Sequence, residues 1–491
     1  MNGTDLFELM DNIEDKYIAD ARIKHRAYVF AAKENGVSAF FKNAVSVAAI
    51  LLVIGMIFVW TLVGKDIINA YHGEDTTSDM TTTEPQTTPT PATTTDNGIV
   101  PPIPNTDTTT KPWHTTAPIT TTQPPVTTTP PVTTDGEQNK DPIIDNFADF
   151  EFSVENGSAV LVKYKGSAAS VKIPDSYEGN PVTVIKARAF YNRSSIVEIT
   201  IPDTVKTIGD YAFENCTGLT EFTIPESVNS IGTGAFSGCS GITSITWPVG
   251  VTKTSDMVFY KCSALKTVVL PSTLKEIGEC SFEWCSSLES IEIPKSVTVI
   301  DECAFYGCSS LKSVEIPNGV SVISEAAFSS CRSLEKVVIP KSVKVIEELA
   351  FDCCTSLTEI TLPDGITAIK EMCFGNCQKL KSIVIPGSVT VIENYAFVSC
   401  YELESIEIPE SVTEMGESVF ASCRKLKEVV IPKGVKTVGR RLFDSCYDLQ
   451  SIFCEASSKP KNWDSNWTEY CTAKVYFGDN WHYVDGVPTL K

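Results

Sequence analysis

Histidine is nearly absent: four among 491 residues, and none between Ala148 and Tyr470. Ser–His and Cys–His pairs are therefore unavailable over that stretch. There is no Gly-rich phosphate loop. No Cys-x-x-Cys occurs, so with histidine this rare a tetrahedral zinc set is hard to assemble. Basic residues are outnumbered, 40 against 61, leaving a formal net charge of -21. A nucleic-acid partner needs a basic face and is not expected. No pair of carboxylates stands out as an acid and base. Neither catalysis nor a cofactor is expected.

One apolar run is long enough to matter. Residues 44–64 read AVSVAAILLVIGMIFVWTLVG without a charge. About 20 such residues cross a bilayer as a helix. A signal peptide has a shorter apolar stretch, a shorter leader and a small-residue cleavage site. Arg22, Lys24, Arg26, Lys33 and Lys42 precede the run, whereas only Lys65 follows it before Lys111. That asymmetry predicts a single-pass protein of the cell membrane, with residues 1–43 cytoplasmic and the rest extracellular. Within 1–43, Phe7, Met10, Ile13, Tyr17 and Ile18 recur at helical spacing, which predicts an amphipathic tail. Residues 65–141 are dominated, from residue 76, by Thr and Pro. Such chain buries too little to fold and favours extended polyproline II, reaching up to about 200 Å.

From Ile201 to Phe453 the chain repeats every 23 residues through eleven units. One unit reads IPDTVKTIGDYAFENCTGLTEFT and another IPKSVTVIDECAFYGCSSLKSVE. A fixed period of this length marks a solenoid. Val205, Ile208, Ala212, Phe213, Cys216 and Leu219 fall at steps of three and four. That spacing suits a helical or tightly turned segment. Leu219, Phe222 and Ile224 shift towards the step of two of a short strand. Pro225 ends it, because proline cannot donate to a ladder. One coil cannot bury its apolar side alone, but a stack can.

The pattern Cys-x-x-Leu-x-x-Ile-x-Ile-Pro, followed by Val-x-x-Ile and Ala-Phe, resembles the BspA-like leucine-rich repeats of bacterial surface antigens. The resemblance covers about residues 150–491. It implies an α/β, mostly β, right-handed solenoid with parallel strands on its concave face. It also implies surface roles such as adhesion and protein or glycan binding. Other leucine-rich repeats carry an Asn ladder after the strand; this sequence lacks it, so their residue roles are not transferred. The 1–43 tail resembles the short inner tails of membrane proteins related to anti-sigma factors, which implies a cytoplasmic regulator such as a sigma factor as partner.

Both ends need covering. Residues 142–200 are expected to form an N-terminal cap and first partial repeat, with a hairpin at Asn156-Gly157. Residues 454–491 carry Trp463, Trp467, Tyr470, Trp481 and Tyr483, either covering the last coil or forming a sugar platform. In the unit 247–269, Trp247 replaces Ile and Thr254 replaces an apolar residue, so a bend or weaker stack is expected there.

Seventeen cysteines are present, and eleven of them, Cys216 through Cys446, share one phase. Their place between Phe and Leu points inward, as stacked thiols. Cys280 with Cys303, and Cys454 with Cys471, are the better disulfide candidates.

Two outward columns complete the reading. Lys266, Glu289, Lys312, Glu335, Thr358, Lys381, Glu404 and Lys427 alternate in sign along most of their length, as a register-fixing ladder does. The next column, Thr223, Thr246, Val269, Glu292, Glu315, Val338, Thr361, Val384, Glu407, Val430 and Phe453, mixes exposed apolar and acidic residues. It is the candidate ligand-facing ridge, against the alternative of ordinary strand propensity. The expectation is a surface protein that binds an unknown protein or polysaccharide. The alternative is a transmembrane sensor whose tail engages a cytoplasmic regulator.

Overall fold

Two short patterns alternate within each coil. In Lys336–Val338 only Val337 is buried, as the alternation of a strand requires. On the return path β-branched pairs such as Val345–Ile346 form a second, two-residue strand. The computed structural model describes residues 147–491. The expected membrane helix at 44–64, the tail at 1–43 and the stalk at 65–141 lie outside the described residues. Among the described residues no helix is long and apolar enough to cross a membrane.

Both strand types pair in short runs with their counterparts one period on. Ser313, Val314 and Glu315 oppose Lys336, Val337 and Val338, and Glu359 opposes Ser382. On the return path Thr207 opposes Ser230, Glu276 opposes Val299 and Ala368 opposes Val391. All these pairings are parallel. The result is a mostly-β parallel solenoid of about 14 coils with repeats of about 23 residues.

This corrects the α/β expectation. Among the described residues there is no α-helix, only two short 3-10 segments, Phe147–Asp149 and Gly478–Asn480. The three-and-four spacing arises from consecutive turns. Phe213 N–H donates to Ala235 O in the next coil at 2.8 Å, whereas Glu214 N–H donates back to Tyr211 O at 3.1 Å. Asn215 again donates forward, to Ser237 O at 2.8 Å. A helix would send each N–H four residues back. The chain turns because the residues two before and two after the phenylalanine are left-handed, as at Tyr211 (φ 55) and Asn215 (φ 59).

Apolar columns fill the interior. Phe190 to Phe443 stack ring on ring; Phe305 and Phe328 lie 5.3 Å apart at 8°. Each such buried side chain contributes roughly 1.5–3 kcal/mol, and each ring pair about 0.5–1.5 kcal/mol more. Proline opens each outer turn, with Val343 N–H donating to Pro340 O at 3.1 Å. Ser342 Oγ then donates to Val320 O of the preceding coil at 2.8 Å.

The stack extends past both ends of residues 201–453. Ser170–Lys172 pairs in parallel with Glu198–Thr200, in a coil lengthened by a small hairpin at Ser176–Tyr177. Before it, Phe150–Glu155 and Ser158–Tyr164 form the hairpin expected at Asn156-Gly157, where Gly157 has φ 77. At the other end, Lys474–Phe477 pairs in parallel with Ser451–Cys454. The 23-residue step therefore persists through a segment that the sequence reads as aperiodic. Trp463 and Trp467 fill its interior, 3% and 4% exposed.

The unit 247–269 keeps its register: Lys253 and Thr254 oppose Glu276 and Ile277. Towards the preceding coil the ladder is interrupted, because Lys253–Thr254 does not pair with Ser230–Ile231, whereas towards the next coil the buried Thr254 hydroxyl has partners. It donates to Ser281 Oγ at 3.2 Å and accepts from Gly278 N at 2.9 Å.

Candidate functional site

Parallel pairing sets ridge positions side by side in short runs. Thr246 opposes Val269, Glu315 opposes Val338, Thr361 opposes Val384, and Val384 in turn opposes Glu407. The residue just before each ridge position points inward, so the ridge side chain faces out. Val384 is 77% exposed, Val269 60% and Val338 43%. Thr223, Thr246, Glu292, Glu315, Thr361 and Glu407 are exposed as well. Val430 is only half-buried towards the C-terminal end. Phe453 does not belong to an exposed ridge: it is 4% exposed, covered by Tyr476 at 5.5 Å and Trp481 at 5.2 Å.

Beside the ridge runs the charged column. Lys312 Nζ meets Glu289 Oε2 at 3.3 Å; both are exposed, so the pair holds register more than it stabilises. Other coil-to-coil pairs lie off this column, such as Lys425 with Glu402 at 2.5 Å and Arg440 with Glu417 at 2.7 Å.

An acidic flank escaped the sequence reading. Asp301, Glu302, Glu325, Glu347 and Glu348 line a shallow groove with Val322 and Ser324. Burial, then repulsion from Glu325, Glu371 and Glu393, raises the Glu348 carboxyl above its ordinary value. The signal was available, because Glu302, Glu325, Glu348 and Glu371 recur every 23 residues. Among the described residues no group of three or more His, Cys, Asp or Glu is arranged to hold a metal ion.

All seventeen cysteines are thiols. The eleven in phase each donate Sγ–H to a phenylalanine carbonyl of an earlier coil, as Cys354 does to Phe328 O at 3.3 Å and Cys239 to Phe213 O at 3.0 Å. Burial pushes the Cys262 and Cys446 thiols up to about 12. Cys280 and Cys303 are brought together in a side cluster. Cys454 ends the strand Ser451–Cys454 in the main core, and Cys471 packs against that core. The cap tryptophans are buried, with Trp481 Nε1 donating to Cys454 O at 3.1 Å. They cover the last coil and form no platform, while Tyr470 and Tyr483 stay exposed.

Two ladders of short parallel strands, a phenylalanine column and an outward strand face define a leucine-rich-repeat solenoid, a fold typical of surface binding or recognition proteins. Six copies of the BspA type leucine rich repeat region match residues 183–285, 275–403 and 346–473, and the chain belongs to that family. A leucine-rich repeat protein from Bacteroides ovatus is 25% identical over 69% of this chain and 100% of its own, with a TM-score of 0.56. A leucine rich cell surface protein from Faecalibacterium prausnitzii is 27% identical over 68% of this chain and 99% of its own, with a TM-score of 0.42. No curated protein matches the chain.

Proposed function

We propose that this is a non-catalytic cell-surface binding protein that grips a protein or polysaccharide through the outward face of its strand ladder. Residues 44–64 are its membrane anchor, and the Thr- and Pro-rich residues 65–141 link that anchor to the solenoid. The observation that carries the reading is the run of valines kept in water on paired strands, above all Val384 at 77% exposure. Apolar side chains held on a rigid wall lose little entropy when a partner covers them. Glutamates and threonines between the valines of the same column supply hydrogen-bond partners at the edges of the apolar contacts.

The test is an array of matrix proteins and polysaccharides probed with the chain and with a variant carrying Val269→Lys, Val338→Lys and Val384→Lys. These side chains face water, so the variant folds. Binding to whichever spot captures the parent should fall at least about tenfold, roughly 1.4 kcal/mol. Undiminished capture by the variant would retire the ridge.

A further inference from the structure

A second apolar cluster lies apart from the main core: Cys280, Cys303, Tyr306 and Ala326, with Met257, Trp284 and Leu349 packed against it. It is built on the turned segment, where Cys280 and Cys303 hold the same phase in adjacent coils. Both are left-handed, at φ 53 and 52. Backbone hydrogen bonds lace these coils together: Cys280 N–H donates to Glu302 O at 3.0 Å, and Cys303 N–H to Glu325 O at 2.9 Å. Chain segments bonded in this way stand about 4.8 Å apart. That lies within the roughly 4.4–6.8 Å between Cα atoms that a disulfide spans. The Cys280 thiol is within hydrogen-bonding reach of Cys303 and of Glu283, and the Cys303 contact, then burial and the Glu283 charge, hold it well above the ordinary thiol value, so the attacking thiolate is a minor species and the exchange is slow.

The eleven core thiols differ in two ways. Each is directed at a backbone carbonyl, as Cys285 is at Phe259 O (3.2 Å) and Cys308 at Phe282 O (3.2 Å). Those two have no exposure at all, whereas Cys280 keeps 6% and Cys303 5%. Core thiols also meet, as Cys239 does Cys216, but the side cluster brings two sulfurs together at the margin of the molecule.

We propose that Cys280 and Cys303 form a reversible disulfide, a redox staple between neighbouring coils, with a low-molecular-weight disulfide as the oxidant. One cysteine thiolate attacks the oxidant's S–S bond and releases one small thiolate, leaving a mixed disulfide. The other cysteine thiolate attacks the protein sulfur of that bond and releases the second. The two cysteines lose two electrons, the oxidant's sulfurs gain them, and the two cysteine protons end on the released thiols.

The staple is tested by incubating the full chain, folded, with glutathione disulfide. The mixture is quenched in acid, denatured, alkylated and mapped by peptide mass. A Cys280–Cys303 link, two hydrogens lighter than the separate peptides and abolished by dithiothreitol, is the expected product. Cys285 and Cys308 should be recovered alkylated. In a Cys303→Ser chain, Cys280 should carry a glutathione adduct instead. Full alkylation of Cys280 and Cys303 after oxidation of the parent, or a Cys285–Cys308 link forming first, overturns the proposal.

Discussion

At the scale of single residues, the fold asks for backbone that most of its side chains disfavour. The two left-handed positions flanking each phenylalanine are glycine only at Gly234, Gly238 and Gly307; elsewhere they hold residues such as Leu349 (φ 59), Met372 (φ 50) and Ser399 (φ 57). Without a glycine signal, these turns were invisible in the sequence. A left-handed L-residue costs roughly 1–2 kcal/mol, and glycine's extra freedom in the unfolded chain offsets about 0.5–1 of that. Ser399→Gly should therefore stabilise the chain by about 0.5–1 kcal/mol, read as a higher urea midpoint. The inward thiols, by contrast, were legible from their phase, though not their carbonyl partners. Their protons resist removal: burial raises Cys262 to about 12 and drives Cys400 and Cys423 well above the ordinary thiol value. In the unfolded chain the same thiols ionise near pH 9. Stability is thus full below about pH 9 and is lost as pH rises towards the folded values, by about 1.4 kcal/mol per pH unit for each thiol. Urea resistance should fall steeply from pH 9 upward. A chain with Cys354, Cys377 and Cys400 changed to Ala should show a shallower fall.

At the scale of elements, the strand carrying the ridge could be read from the switch to a step of two, because one face of it is dry and the other wet. The return strand could not. A pair such as Val322–Ile323 is too short for alternation to show, and its apolar residues fall equally well on a helical spacing. The aromatic C-terminal segment misled for another reason. Trp463 and Trp467 fill the interior in place of smaller apolar residues, and the bridge from Val438 to Trp463 spans 25 residues where the repeats from Ile201 onward step by 23. The period is hidden although the coil is kept. What holds neighbouring coils together is clearest at Phe351, fully buried between Phe328 at 5.7 Å and Phe374 at 5.8 Å. Phe351→Ala should cost about 3–5 kcal/mol in chemical denaturation. A loss below about 1 kcal/mol would mean that the ring column is not the main inter-coil contact.

At the scale of the molecule, stability is close to a sum of coils and the contacts between neighbours. Hydrogen bonds such as Phe374 N–H to Ala396 O at 3.0 Å and pairings such as Thr361 with Val384 link each coil only to the next. Any one coil can then be removed, provided the neighbours on either side still meet in phase. Excision of residues 339–361 joins Val338 to Leu362 one whole period on, and the chain should remain folded, with parental circular dichroism and a modestly lower melting temperature. Excision of only residues 339–350 places buried positions against exposed ones and should abolish the cooperative transition. If the whole-period excision unfolds the protein as the half-period one does, the coils do not complete one another's interior and the account of the fold fails.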